Sequence, residues 1–273
     1  MPQVIINADD FGFTNGVTSG IVRTMCEGVV TSTTAMACVA GADARLRRWA
    51  PTVPGCIGAH LQLTTGRALS DPALIPTLCG LDGKFPSSKT NLSCARTEEI
   101  VLEWDEQFRF LRGLGIEPTH IDTHHHVHKL PHVFEAFCEI ARRFQVPARA
   151  LTRSMREELR RANIPCPDSM SVEFYGGGLT SDRLLALLEQ AIEAPDPPAV
   201  IEIMCHPGVP CEELSHLSKY VQEREAEMEA LCFPGLAKRL GERGFELVSY
   251  TTLRGLSPAA ALPVLPFRHA NKG

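Results

Sequence analysis

The stretch Pro118-Thr119-His120-Ile121-Asp122-Thr123-His124-His125-His126-Val127-His128 gathers imidazoles around a carboxylate. Read as a β-strand running out into a loop, its alternate side chains Asp122, His124, His126 and His128 fall on one side. Neutral imidazole with carboxylate is a donor set for zinc and other divalent first-row metals, and carboxylate with water also suits magnesium. The spacing therefore points to a metal-dependent active site. The plain alternative is a His-rich loop that takes up metal adventitiously, or a tag, but a tag sits at a terminus and lacks a flanking strand.

Three other stretches carry similar chemistry. Asp9 and Asp10 follow the apolar Val4-Ile5-Ile6, His60 lies within the run Cys56 to Leu63, and His206 follows Val200 to Cys205. Taken singly, each has an ordinary reading: Asp-Asp before Phe-Gly is a helix-capping turn, and a lone strand histidine is a hydrogen-bonded core residue.

The elements that must position these groups are short apolar strands alternating with helical periods. The pattern predicts strands at Val4 to Asn7, Thr33 to Val39, Cys56 to Leu63, the His-rich stretch, Val146 to Leu151, Met170 to Phe174, Ala199 to Met204 and Phe245 to Tyr250. Helices are predicted at about Asn15 to Glu27, Asp43 to Trp49, from a Thr97 cap through Leu111, Pro131 to Phe144, Ser181 to Glu193 and Gln222 to Arg243, the last split by Pro234. About eight strands alternating with helices over 273 residues predict an α/β fold, a TIM-like (β/α) barrel, regular or distorted. Residues 1–256 are expected to form one catalytic barrel with a long loop insertion at about 65–96, and 257–273 an irregular tail. In such barrels the active site gathers at the C-terminal strand ends, where Asp9, Asp10, His60, His124 and His206 all fall.

Composition excludes several classes. A formal charge of -5 with no basic stripe argues against a nucleic acid partner, and no window is long and apolar enough for a membrane partner. Ten cysteines without a Cys-x-x-Cys pair read as reduced thiols, and the start lacks a basic and apolar leader, so the expected compartment is cytoplasmic. A homodimer is compatible with this reading. His120, His132, His216 and His269 have no partner visible in sequence and are expected to be surface or structural. The run Glu223, Arg224, Glu225, Glu227, Glu229 reads as a solvated helix face, and Gly176-Gly177-Gly178 as a flexible loop.

Ile6-Asn7-Ala8-Asp9-Asp10-Phe11-Gly12, Val30-Thr31-Ser32-Thr33-Thr34-Ala35, Gly58-Ala59-His60-Leu61-Gln62-Leu63-Thr64, the His-rich stretch and Met204-Cys205-His206-Pro207 resemble, in order, the motifs of the YdjC-type carbohydrate deacetylases. Phe174-Tyr175-Gly176 resembles the bacterial chitooligosaccharide deacetylase branch. The resemblance implies a TIM-like deacetylase barrel and hydrolysis of an acetamido group on a small amino-sugar oligosaccharide. It places one divalent ion, Mg2+ or Zn2+, on Asp10, His60 and His124. Gln62 departs from the more apolar residue the family pattern suggests, and Arg149 matches an Arg-containing strand end only loosely.

Such chemistry needs a general base, for which Asp9 is the candidate, and an acid for the departing amine, for which His206 is the first choice and His126 and His128 are rivals. Asp122, His126, His128, Arg149 and Tyr175 are the candidates for holding ligands in place or binding substrate. Other readings stay open: a deacetylase of another N-acetylglucosamine conjugate such as a hopanoid glycolipid, a phosphoesterase or amidohydrolase on the same scaffold, or a non-catalytic sugar- or metal-binding protein.

Overall fold

The computed structural model describes residues 1–193 and 198–254; the expected tail, with His269, lies outside them. The first strand, β1 (Gln3–Phe11), is the axis of the sheet and is buried from Val4 onward. It pairs in parallel with β2 (Ser32–Ala35) and β6 (Val200–Cys205), and its first residues pair with β7 (Glu246–Leu247). The Val4 carbonyl accepts from Val248 N–H and the Ile6 carbonyl from Thr31 N–H, so β7 and β2 occupy successive stretches of one edge. With β3 (Ile57–Leu61), β4 (Ile121–Thr123) and β5 (Ser169–Ser171), the sheet has seven parallel strands in the order β4-β3-β2-β1-β6-β5, with β7 beside β1.

The sheet curls. Beyond β4, Ile121 exchanges backbone hydrogen bonds with Pro147 and Arg149, and Ala148 N–H donates to the Pro165 carbonyl on the approach to β5. The segment predicted as a strand at Val146 to Leu151 makes these few bonds and a single bridge to Ile121, with Pro147 contributing no N–H. The architecture is thus the expected α/β barrel in distorted form.

Sequence signals set several helix limits. Helix α1 (Asn15–Glu27) starts where Thr14 Oγ1 accepts from Val17 N–H and stops at Gly28. Helix α2 (Ala42–Trp49) follows β2, and α4 (Pro131–Phe144) carries Pro at its start. Helix α3 (Thr97–Gly113) differs from expectation at its N-terminus: Arg96 is the cap residue, and Thr97 Oγ1 donates instead to the His132 carbonyl. Helix α6 (Ser181–Ile192) lies where the pattern places it, and α5 (Arg153–Arg161) and α7 (Glu212–Leu217) add to the expected helices. The last helical stretch is split around Pro234 into α8 (Glu223–Leu231) and α9 (Leu236–Glu242).

The segment between β3 and α3 contains two 3-10 turns, Pro72–Leu74 and Lys89–Leu92, and an antiparallel bridge between Arg67 and Lys84. Buried carboxylates of α3 hold it down. Glu103 accepts from Leu69 N–H, Ser70 N–H and Gln107, while Glu99 accepts from Thr77 N–H and Thr77 Oγ1.

Candidate metal centre and active site

Two faces of β1 divide the labour. Val4, Ile6 and Ala8 join the apolar core, whereas Asn7 and Asp9 face a polar barrel interior. There Asn7 donates to Asp9 Oδ1 at 2.9 Å and pairs with His120 Nε2 at 2.9 Å. His120, expected to be surface or structural, is fully buried and stacks on Tyr250, centroids 3.7 Å apart. Glu202 accepts from Tyr250 Oη at 2.6 Å and from Arg149 Nε at 2.8 Å.

Arg149 is the counter-charge for this interior. Its Nη1 lies 2.7 Å from Asp9 Oδ2 and 2.8 Å from Asp122 Oδ2. Burial opposes ionisation of Asp9, but the Arg149 guanidinium outweighs it and holds the carboxyl well below the usual range. Arg149 does not line the cavity and so is placed to orient Asp9, not to grip a sugar.

Asp10 breaks the strand alternation. The β1–β2 register shifts between Ala8 and Phe11, and Asp10 adopts φ +75°, a left-handed conformation uncommon outside glycine. Its Oδ1 thereby sits 3.3 Å from His60 Nε2 and 3.2 Å from His124 Nδ1, and those two nitrogens are 3.2 Å apart. All three residues are buried, and Asp10 Oδ1 has no hydrogen-bond partner among the described residues.

This triangle fits a divalent ion. Donors held about 2.0–2.2 Å from one ion are roughly 3.2 Å apart when the angle between them is near 100°. Asp122 Oδ1 meets His60 Nδ1 at 2.7 Å, fixing the ring with Nε2 toward the triangle, the usual carboxylate support of a ligating histidine. Against the penalty of burial, Asp122, Asp10 and Asp9 push the His60 imidazole up to about 10; that negative field equally favours a cation at Nε2. A second grouping, Asp9, His60 and Asp122, is also compact, but Arg149 Nη1 already bridges its two carboxylates.

The strand alternation expected for the His-rich stretch ends at His124. His124–Lys129 is a 3-10 turn in which His125 and His126 have φ of +56° and +53°, reversing the chain. The His125 ring packs tilted against His124, centroids 3.9 Å apart, and meets Thr64 Oγ1 at 2.9 Å. His126 lines the cavity, whereas His128 is fully buried, hydrogen-bonded to Thr123 Oγ1 and stacked on Phe137. Asp122, His124, His126 and His128 are therefore not one face.

His206 reaches the same mouth from β6. Its loop packs onto α1 only because α1 presents Gly16 and Gly20: a Cβ at Gly20 would lie 2.5 Å from Gly208 Cα, and one at Gly16 would lie 2.3 Å from the Val209 carbonyl oxygen. His206 Nε2 is 3.9 Å from Asp9 Oδ2. Burial lowers the imidazole to about 4 despite Asp9 and Asp10. Its ring meets Tyr175 edge-on at 5.4 Å, and Tyr175 stacks on Tyr220 at 4.1 Å.

Three functional positions escaped the sequence reading. Arg224 and Glu227 belong to a charge run expected to face solvent, yet both are buried. Arg224 Nη2 is 2.7 Å from Asp10 Oδ2, and Glu227 accepts from His206 N–H and from Tyr220 Oη. Tyr220 also accepts from Gly176 N–H, tying down the glycine loop. The available signal was that Arg224 and Glu227 lie three apart, on one helix face, with Met228 and Leu231.

These side chains surround a cavity of about 730 Å³ lined by Asp9, Asp10, His60, His124, His126, Tyr175, His206 and Arg224, with Ser87, Ser88 and Lys89 contributed by the insertion. A curled parallel barrel with a carboxylate–imidazole triangle at its strand ends defines the class of protein.

Residues 3–242 match the sequence profile of the YdjC-like proteins, and the chain belongs to that family. It is 37% identical to a carbohydrate deacetylase of Geobacillus stearothermophilus, over 92% of this chain and 98% of that protein. It is 32% identical to a chitooligosaccharide deacetylase of Yersinia enterocolitica, over 91% and 98% respectively. An Enterococcus faecalis crystal structure, of a protein named as a candidate for cellobiose-phosphate cleavage, superposes with a TM-score of 0.83 at 32% identity, covering 92% of this chain and 98% of that one. Among the described residues, no helix is long and apolar enough to cross a membrane.

Proposed function

We propose that this chain is a metal-dependent hydrolase that removes the acetyl group from N-acetylglucosamine units of small chitooligosaccharides. The observation that carries the reading is the unpartnered, buried Asp10 Oδ1 between His60 Nε2 and His124 Nδ1, at the wall of a cavity that Asp9 and His206 also line. The names of its relatives supply the substrate class. A divalent ion on Asp10, His60 and His124, Zn2+ or Mg2+, would supply Lewis-acid polarisation of the amide carbonyl and a more acidic water.

The chain's own residues divide the proton transfers. Asp9, kept ionised by Arg149, accepts a proton from the attacking water. His206, neutral near pH 7, receives that proton across the 3.9 Å gap and passes it to the nitrogen as the carbon–nitrogen bond breaks. Tyr175, half-exposed and stacked on Tyr220, offers an aromatic face to a sugar ring. A second cavity of about 680 Å³ shares Phe13 and Leu217 with the first and gives room for a substrate longer than one ring.

Rival chemistries fit less well. Glycosidic cleavage by a carboxyl pair needs one protonated acid, but the carboxylates lining the cavity among the described residues, Asp9 and Asp10, are each bound to a guanidinium and held low, Asp10 by Arg224 and its two imidazoles against the opposing effect of burial. A two-metal phosphoesterase needs a second ion where Arg149 already sits.

The test is acetate release from N-acetylated chitobiose, chitotriose and an N-acetylglucosaminyl lipid, using protein stripped of metal and then restored with Zn2+ or Mg2+. Acetate from the sugars only after restoration supports the reading. No acetate from any of them with metal restored removes it, and release from the lipid alone moves the substrate to the glycolipid.

A further inference from the structure

The Asp10–Arg224 pair leaves two atoms unfilled on one wall of the cavity. Asp10 Oδ1 is one, and it belongs to the triangle; the other is Arg224 Nη1, buried and without a hydrogen-bond partner among the described residues. The rest of Arg224 is fully engaged. Nη2 donates to Asp10 Oδ2 at 2.7 Å, Nε donates to the Tyr220 carbonyl at 3.0 Å, and the Arg224 carbonyl accepts from Gly208 N–H at 3.1 Å. Phe13 and Tyr220 lie beside the guanidinium, with ring centroids 6.0 and 5.7 Å from its central carbon. The side chain is 3% exposed, so it is neither a solvated surface charge nor free to swing.

We propose that Arg224 is a catalytic residue of the site, with Nη1 donating to the acyl oxygen of the substrate as that oxygen gains negative charge. This rests on the deacetylase reading. A guanidinium suits the task because it stays charged, cannot act as an acid, and is already immobilised by its other two nitrogens. A donor fixed in advance at the site of developing charge lowers the barrier without reorganisation. The same pair would serve both partners of the reaction: its acceptor Oδ1 faces the ion position, and its donor Nη1 faces the substrate oxygen. The ligand class recognised by Nη1 is a small carboxylate or tetrahedral oxyanion, for which acetate is the simplest probe.

The rival account is that Arg224 only positions Asp10 through Nη2. Arg224→Lys separates the two, since one ammonium can keep the charge beside Asp10 but cannot replace Nη1. Three readouts apply: Zn2+ affinity by chelator competition, kcat and KM for N-acetylated chitobiose at saturating metal, and the acetate dissociation constant of the zinc-loaded protein by NMR. The expected result is metal affinity within about threefold of wild type, KM little changed, kcat lower by about 10²–10³-fold, and acetate binding weaker by about tenfold or more. Where the lysine variant fails to fold, arginine-labelled wild type gives the answer: acetate should shift the Arg224 Nη resonances. Loss of kcat that saturating metal restores, unchanged kcat with unchanged acetate binding, or Nη resonances that ignore acetate would each overturn the proposal. Wild-type turnover with normal Arg224→Lys turnover removes Arg224 alone, whereas absent wild-type turnover on every N-acetyl substrate removes the underlying reading as well.

Discussion

Arg149 and Asp9 meet at two points, Nη1 to Oδ2 and Nη2 to Oδ1, both at 2.7 Å, with both side chains shut away from solvent. The same guanidinium faces Asp122 and Glu202, so one positive charge serves three buried carboxyls. Asp9, bonded twice, goes low; burial pushes Asp122 and Glu202 up despite Arg149. Because the folded value of Asp9 lies below its unfolded one, its charge contributes stability above about pH 4 that is lost as pH falls further.

Arg149→Met should reverse that sign. With no counter-charge the buried carboxyls all titrate above their unfolded values, and stability then falls as pH rises above about 4. The deficit should be on the order of 3–5 kcal/mol, the usual cost of stranding buried charge, and larger at pH 8 than at pH 5. Denaturant midpoints at the two pH values measure it. An equal deficit at both would mean that Arg149 acts through packing alone.

Three substitutions should rank metal affinity. His124→Ala removes a donor of the triangle and should cost more than about a hundredfold, whereas Asp122→Asn, which frees the His60 ring, should cost about 10–100-fold. His128→Ala should leave affinity unchanged and lower only the melting temperature, since that ring lies against Phe137 in the core. Chelator competition on the three purified variants settles the order, and undiminished affinity in His124→Ala would take that residue out of the site.

What the sequence could convey depended on whether the signal was local. Helix α1 was legible because its helical period runs from Asn15 to Glu27 and Gly28 stops it, and Asp9, Asp10, His60, His124 and His206 were legible because strand ends in a barrel share one mouth. The polar interior was not. Asn7, Thr34, His120, Glu202 and Arg149 are partners only across the sheet, and a lone polar residue within an apolar run does not announce what lies opposite. Arg224 and Glu227 were misread for a related reason: a charged helix face looks the same in sequence whether it meets water or a charged cavity. His125 and His126 turned the chain where alternation predicted it would continue, because left-handed φ at a histidine leaves no mark in residue type.

The insertion over the cavity hangs on Glu103. That carboxylate receives Leu69 N–H, Ser70 N–H and Gln107 Nε2, all of which lose their acceptor in Glu103→Ala. Stability should fall by on the order of 3 kcal/mol, and amide exchange should quicken across 66–93. Ser87, Ser88 and Lys89 line the cavity, so KM should rise more than kcat falls. Exchange that is unaltered over those residues would show that the insertion is held by its apolar contacts instead.

His206 is the most exposed assignment. Pro207 holds it in extended backbone, its N–H is taken by Glu227, and its ring is framed by Tyr175 and Tyr220, so the imidazole has few places to point other than the cavity. Burial lowers it to about 4, so at pH 7 it begins neutral and must gain a proton before it can act as an acid, with Asp9 Oδ2 as its nearest carboxylate at 3.9 Å. An amide nitrogen leaves only when protonated, whereas the leaving group of an activated ester needs little help. His206→Ala, with metal content verified, should therefore lose about 10²–10⁴-fold on acetylated chitobiose and less than about tenfold on an activated acetate ester. An unchanged ratio of the two rates would move the acid to His126, the rival that also lines the cavity, because His128 is sealed beneath Thr123 and Phe137 and cannot reach a substrate.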